Sequence, residues 1–134
     1  MAHEFPIRIY YEDTDLAGIV YYANYLKFME RARSEAVRSV EIDQGQLRDQ
    51  HDLVFAVRRA DVQFHAPARL DNVVTVRSVV TRLGGASLEM HQAVWRGDTL
   101  LTEGDIRIAA MSSAGKPLRL PADIREKLAR LPRS

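Results

Sequence analysis

One amphipathic helical stretch followed by four long β-rich runs is the pattern that most constrains this chain. Tyr22, Tyr25, Leu26, Met29, Ala32, Ala36, Val37 and Val40 recur mostly at steps of three and four, which gathers them on one helix face. Lys27, Glu30, Arg31, Ser34, Glu35 and Arg38 fall mostly on the other side. Beyond residue 53 the period changes. The runs 54–65, 73–83, 87–95 and 99–111 are rich in Val, Ile, Thr and aromatic residues. In one of them Val74, Val76, Ser78 and Val80 alternate with Thr75, Arg77, Val79 and Thr81. Strands of this length exceed the usual five or six residues or so, so the sheet must curve to pack around a single helix. Gly84-Gly85 and Gly97-Asp98 separate neighbouring runs and predict antiparallel hairpins.

The remaining segments complete the order. Pro6 to Tyr11 alternates and predicts a first strand, and Glu12 to Gly18 is an acidic turn ending in glycine. Asp43 to Gln50 predicts a short helical turn. Pro117 and Pro121 break the β pattern ahead of a short terminal helix over Ala122 to Leu131. The expected architecture is α+β, with an antiparallel sheet and one long helix in β-α-β-β-β-β order. No repeat, low-complexity tract or linker divides the chain, so 1–134 is read as one domain. The helix can cover only one face of the sheet. Because Val73 to Val80 is apolar on both parities, a second copy of the chain is expected, making a homo-oligomer.

Composition narrows the function classes. At 134 residues, size scaling gives roughly 7,000 Å² of folded surface against roughly 22,000 Å² unfolded, enough burial for a core without metal or disulfides. The 46% apolar and 28% charged content is that of a globular chain. With 19 basic and 18 acidic residues, the chain lacks the cationic surplus that nucleic acid binding needs. No apolar run reaches a transmembrane length, and the start of the chain has no basic and apolar segments of a signal peptide. Cysteine is absent, which excludes a thiol nucleophile, a thiolate metal site and disulfides, and fits a cytoplasmic protein.

The densest polar cluster is Glu12-Asp13-Thr14-Asp15, followed by Leu16-Ala17-Gly18. As a calcium loop it fails at two positions: Ala17 and Asn24 stand where an oxygen ligand and a bidentate Glu belong. An acidic turn before a helix commonly serves only to cap it. Here three carboxylates stand where a cap needs one, and Gly18-Ile19-Val20-Tyr21-Tyr22 leads into the helix as an apolar segment. A helix start with free N–H groups, apolar walls and an adjacent carboxylate can stabilise an oxyanion. None of His3, His51, His65 and His91 lies in this segment. No zinc-protease spacing, serine elbow or phosphate loop occurs. Arg58, Arg59, Arg69 and Arg82 read as ordinary solvated charges unless a phosphate meets them.

The stretch from Tyr10 through Glu12-Asp13-Thr14-Asp15-Leu16-Ala17-Gly18-Ile19-Val20-Tyr21-Tyr22 to Tyr25, then Phe28-Met29-Glu30-Arg31-Ala32-Arg33, resembles the signature of the hotdog-fold acyl-CoA thioesterases. The branch is that of 4-hydroxybenzoyl-CoA thioesterase and the bacterial thioesterase associated with the Tol-Pal system. Ala66-Pro67-Ala68-Arg69-Leu70-Asp71 resembles a second stretch of the same branch. The resemblance implies a hotdog fold, a curved five-stranded antiparallel sheet wrapped around the long helix. It also implies a homodimer or homotetramer with sites at the subunit interface, acting on acyl-CoA or on an acyl group borne by acyl carrier protein. No metal or organic cofactor is implied.

By the same resemblance, Asp15 matches the catalytic carboxylate, as nucleophile or general base. Tyr22 matches the helix-start residue whose backbone N–H polarises the thioester carbonyl. Gly18 allows close approach of the thioester to the backbone, while Val20, Tyr25 and Glu30 are candidate substrate contacts. Asp13 is expected to tie the turn to the helix. Glu30 is the rival carboxylate, equally placed to bond Arg33 or Ser34. Tyr25 and Met29 line an acyl cavity or belong to the core. Many Tol-Pal-associated members carry His at the position of Tyr22, so their substrate preference does not transfer. A hotdog hydratase needs a histidine paired with a carboxylate near the helix start, and no histidine stands there in sequence. A non-catalytic acyl-CoA or acyl-carrier-protein binding module is the other alternative.

Overall fold

The β-rich runs form one five-stranded antiparallel sheet in the order β1-β3-β4-β5-β2. The computed structural model describes Met1 to Ser134. Its elements are β1 (His3–Arg8), a 3₁₀ turn (Tyr11–Asp13), α1 (Asn24–Ser39), α2 (Gln44–His51), β2 (Val54–Phe64), β3 (Val73–Leu83), β4 (Ser87–Arg96), β5 (Thr99–Met111) and α3 (Ala122–Leu128). This is the expected β-α-β-β-β-β order, with the hairpins at Gly84-Gly85 and Gly97-Asp98 in place.

The inner face of the sheet presents Val74, Val76 and Val80 from β3, Met90 and Val94 from β4, and Ile106 and Ile108 from β5. Against it α1 lays Tyr25, Phe28, Met29, Ala32, Ala36 and Val37. The alanines at positions 32 and 36 let the helix approach the strands closely. Leu47 of α2 and Ile124 and Leu128 of α3 close the ends of the same core. No helix is long and apolar enough to cross a membrane.

Several boundaries differ from those the sequence predicts. The first strand is His3–Arg8 rather than Pro6 to Tyr11, because pairing with β3 runs back to His3↔Ser78 while Tyr11 enters the 3₁₀ turn. Pro6 is tolerated inside it because β1 is an edge strand. The long helix begins at Asn24, with Tyr22 and Ala23 in the turn ahead of it. Its buried stripe includes Phe28, fully inaccessible, whereas Leu26 faces outward at 44% exposure. The terminal helix stops at Leu128, and Leu131 is buried beyond it.

The β2 edge of the sheet has two distinctive features. Gly104 of β5 lies against β2: a Cβ there would sit 2.9 Å from Val62 Cγ2 and 3.1 Å from the Asp61 carbonyl oxygen, so the close approach of the two strands requires glycine. Strand β2 itself has no neighbour on its far side, and its apolar residues are poorly covered. Val57 is 48% and Phe64 47% exposed.

Candidate active site

The acidic segment folds on itself through short-range bonds. Asp13 Oδ2 accepts from Tyr10 N at 2.8 Å, and Thr14 Oγ1 donates to the Tyr11 carbonyl at 2.8 Å. The next four residues close a tight turn. Asp15 N donates to the Ile19 carbonyl at 2.9 Å, and Gly18 N donates to the Asp15 carbonyl at 3.0 Å. Ala17 N donates to Asp15 Oδ1 at 2.9 Å. Gly18 has φ +81°, and a Cβ there would meet nothing within 4 Å, so the turn conformation rather than crowding calls for glycine.

This turn is tied to the helix start from both sides. The Asp13 carbonyl accepts from Tyr21 N at 3.0 Å and from Asn24 Nδ2 at 2.9 Å. Asp13 therefore holds the turn to the helix, the role its place in sequence predicts. Val20 N donates to the Ala68 carbonyl at 2.9 Å, and Ala68 N donates to the Tyr25 hydroxyl at 3.0 Å. The 66–71 loop is thereby fastened to α1. Asn24 N, Tyr25 N and Leu26 N each find the carbonyl three residues back. Tyr22 N and Ala23 N have no acceptor within the chain. Two backbone donors stand open at the head of a 16-residue helix, where its dipole favours negative charge.

Beside them runs an open apolar trough of about 230 Å³, walled by Val20, Tyr22, Tyr25, Phe64, His65 and Pro67 among others. The Tyr22 and Phe64 rings meet edge to face at 5.7 Å, and Tyr25 and Phe64 lie 5.9 Å apart. Of the six candidate residues, Val20, Tyr22 and Tyr25 line this trough. Asp15 and Gly18 form the exposed turn that leads into it. Glu30 lies elsewhere, in a second cavity of about 120 Å³ shared with Arg33, Phe55 and Val57. There Glu30 Oε1 accepts from Ser34 Oγ at 2.9 Å, while Arg33 turns to Gln92 Oε1 at 2.9 Å. Met29 is wholly core.

Tyr25 joins core and trough. Burial pushes its phenol above the ordinary 10.0, and the hydrogen bond from Ala68 and the charge of Arg96 oppose that rise. A raised pKa keeps the proton on the folded chain after the unfolded chain has lost it. The associated stability is therefore intact below about pH 10 and is lost as pH rises through the folded value. Tyr25→Phe strands the buried Ala68 N–H, so chemical denaturation near neutral pH is expected to show a loss of about 1–2 kcal/mol. The same variant should show a weaker alkaline decline in stability than the wild type.

The sequence profile of the thioesterase superfamily matches residues 17–103, about two thirds of the chain. The chain belongs to the thioesterase superfamily. Among curated relatives, this superfamily member is 38% identical over 121 residues to the acyl-CoA thioester hydrolase YbgC of Escherichia coli O6:H1, covering 89% of this chain and 90% of that protein. It is 34% identical over 122 residues to the acyl-CoA thioesterase YbgC of Haemophilus influenzae, covering 90% of each. A solved structure of a probable thioesterase from Bartonella henselae superposes with a TM-score of 0.87 at 38% identity, over 90% of this chain and 100% of that one. The hotdog-fold thioesterase resemblance read from the Tyr10 to Arg33 signature is thus borne out.

Strand register also makes a cluster that the sequence does not show, on the face of the sheet away from α1: Thr102 is buried opposite Val94 on the inner face, so Glu103 points outward. His65 bonds Glu103 through Nε2 at 2.9 Å. Glu103 also faces His91 Nε2 at 3.4 Å, and His91 Nδ1 meets Asp105 at 2.9 Å. Antiparallel pairing of β2 with β5 brings Gln63 opposite Glu103, and His65 follows two residues later on the same side. The pair is made by strand register, a signal that neither segment carries alone.

Proposed function

We propose that the protein hydrolyses acyl-CoA thioesters to the free acid and CoA. The observation that carries this reading is the pair of unsatisfied N–H groups at Tyr22 and Ala23, beside an apolar trough and the Asp15 turn. The thioester carbonyl would point at Tyr22 N–H, where one such donor is worth about 3 kcal/mol of transition-state stabilisation. Asp15 would attack the carbonyl or activate a water. Gly18 would serve by shaping the turn, and Val20 and Tyr25 by walling the trough. Glu30 would contact substrate only where an acyl group reaches the second cavity. The names of the curated YbgC relatives support CoA as the carrier.

A homo-oligomer fits the same observations. The accessible surface is 7887 Å², above the roughly 7,000 Å² expected for a monomer of this size. The uncovered residues Val57 and Phe64 on edge strand β2 are where such an interface would form. Thiol release from butyryl-, benzoyl- and palmitoyl-CoA tests the function. Release from at least one ester is the expected result. Saturable binding of these esters without thiol release would instead make the protein a non-catalytic binding module.

A further inference from the structure

We propose that the second cavity, between α1 and the inner face of the sheet, binds a short aliphatic carboxylic acid as its anion, with the Arg33 guanidinium receiving the carboxylate. Such acids are what hydrolysis of short acyl thioesters releases, and in that one respect the inference rests on the function proposed above. Binding is measured without turnover, so it stands or falls separately.

The cavity follows from the register of the inner face. Val57 of β2 pairs with Ile108 of β5, and Ile108 pairs with Leu88 of β4, so three branched side chains form one apolar row. Met90 lies two residues along β4 on the same face. Over this floor α1 sets Arg33 and Val37, one helical turn apart, and Leu128 of α3 adds a further wall. The volume is about 120 Å³. An apolar cavity of about 150 Å³ holds benzene, so a body of about four or five carbons fits here.

Arg33 decides the charge of the guest. A guanidinium carries five N–H donors. Within the chain Arg33 uses one of its donor groups, Nη1, which bonds Gln92 Oε1 at 2.9 Å. No ion pair of the chain includes it. Burial depresses its pKa, and Glu30 lies near enough to oppose that shift but bonds Ser34 instead. A half-buried cation on an apolar wall, held by one neutral acceptor, lacks the partner that buried charges ordinarily have. A carboxylate offers two oxygens that match the planar fork. The rest of a short acid is the apolar body that the floor accepts. Glu30 is exposed at the rim of the same cavity, where its charge weakens the binding of an anion without blocking it.

The test is NMR titration of nitrogen- and methyl-labelled protein with butyrate and with butyramide, the neutral molecule of the same shape. Of the four methionines only Met90 lines the cavity, so its methyl reports occupancy while Arg33 Nε–H reports the carboxylate. The Val20 methyls report the trough. Butyrate should shift Met90 and Arg33 saturably and leave Val20 unmoved. Butyramide should bind about tenfold more weakly, the difference between a charge-assisted and a neutral hydrogen bond. Leu88→Phe, which fills the cavity, should abolish the response. Arg33→Lys should weaken butyrate about tenfold by losing the fork. Glu30→Gln should tighten it about threefold, the scale of one exposed charge. Melting curves show that each variant folds, and the comparison of the two ligands on the wild type stands without any variant.

No saturable shift of Met90 and Arg33 overturns the proposal, as does an equal response to butyrate and butyramide. Retained binding in folded Leu88→Phe overturns it too, and a shift confined to Val20 does so by placing the acid in the trough. Absence of thiol release with butyrate binding intact would remove the proposed function and leave this site standing.

Discussion

Replacing Asp15 with Asn is expected to lower thioester turnover by roughly 100-fold or more, the scale of a lost catalytic acid or base. The fold should survive. Asp15 Oδ1 accepts one hydrogen bond, from Ala17 N, and an asparagine oxygen can accept the same bond. What the change removes is the charge and the nucleophilic or basic oxygen. Two control variants make the result specific. Asp13→Asn keeps an acceptor for Tyr10 N and leaves untouched the backbone carbonyl that binds Tyr21 and Asn24, so its turnover should stay near wild type. Glu30→Gln alters a side chain in the other cavity and should also stay near wild type on short acyl esters. Steady-state thiol release with melting curves on all three variants decides the matter. Equal losses in Asp13→Asn and Asp15→Asn would make the turn as a whole the determinant and remove Asp15 from its proposed role.

The acidic turn is legible in sequence because everything that shapes it is contiguous. Asp13, Asp15, Gly18 and the helix start lie within a dozen residues, and their contacts are local. Strands β3 and β5 are likewise legible, since alternation and flanking glycines mark their ends. The departures have physical causes. Pro6 looks like a strand boundary, yet an edge strand has no partner on one side for a missing N–H to offend. Leu26 looks like a core residue by type, but the helix turns it outward and uses Phe28 instead. The pair His65 and Glu103 is 38 residues apart in sequence. To find it, one must count along β2 through the register shift between Val57 and Arg59, where a bulge reverses the parity that alternation would assign. A histidine at a strand end therefore carries no visible partner until the sheet is assembled.

Gln92 is the second position where a single change should have a large effect. It is wholly buried on the inner face of β4 and uses its amide in full. Nε2 donates to the Met29 carbonyl of α1 at 2.9 Å and to Ser78 Oγ at 3.0 Å, while Oε1 accepts from Arg33 at 2.9 Å. One side chain thus links two strands to the central helix. Arg33 depends on it most. Burial lowers the pKa of the guanidinium, and the charge of Glu30 only partly opposes this, so the fold holds the cation at a cost that Gln92 offsets. Gln92→Leu fills the same space and removes all three bonds, one of them to a charged donor. The expected loss is about 3 kcal/mol, a fall of roughly 10 °C in melting temperature for a domain of this size. Replacing both partners is a different matter. Arg33→Met with Gln92→Leu removes the cation together with its acceptor, and a buried polar pair exchanged for apolar residues of similar shape is often close to neutral. The double variant should therefore recover the part of the loss that comes from stranding Arg33, while the Met29 carbonyl and the Ser78 hydroxyl still lack their Gln92 partner. A double-mutant cycle from urea denaturation measures this coupling. Simple additivity of the two single losses would show that Arg33 and Gln92 do not act as a unit.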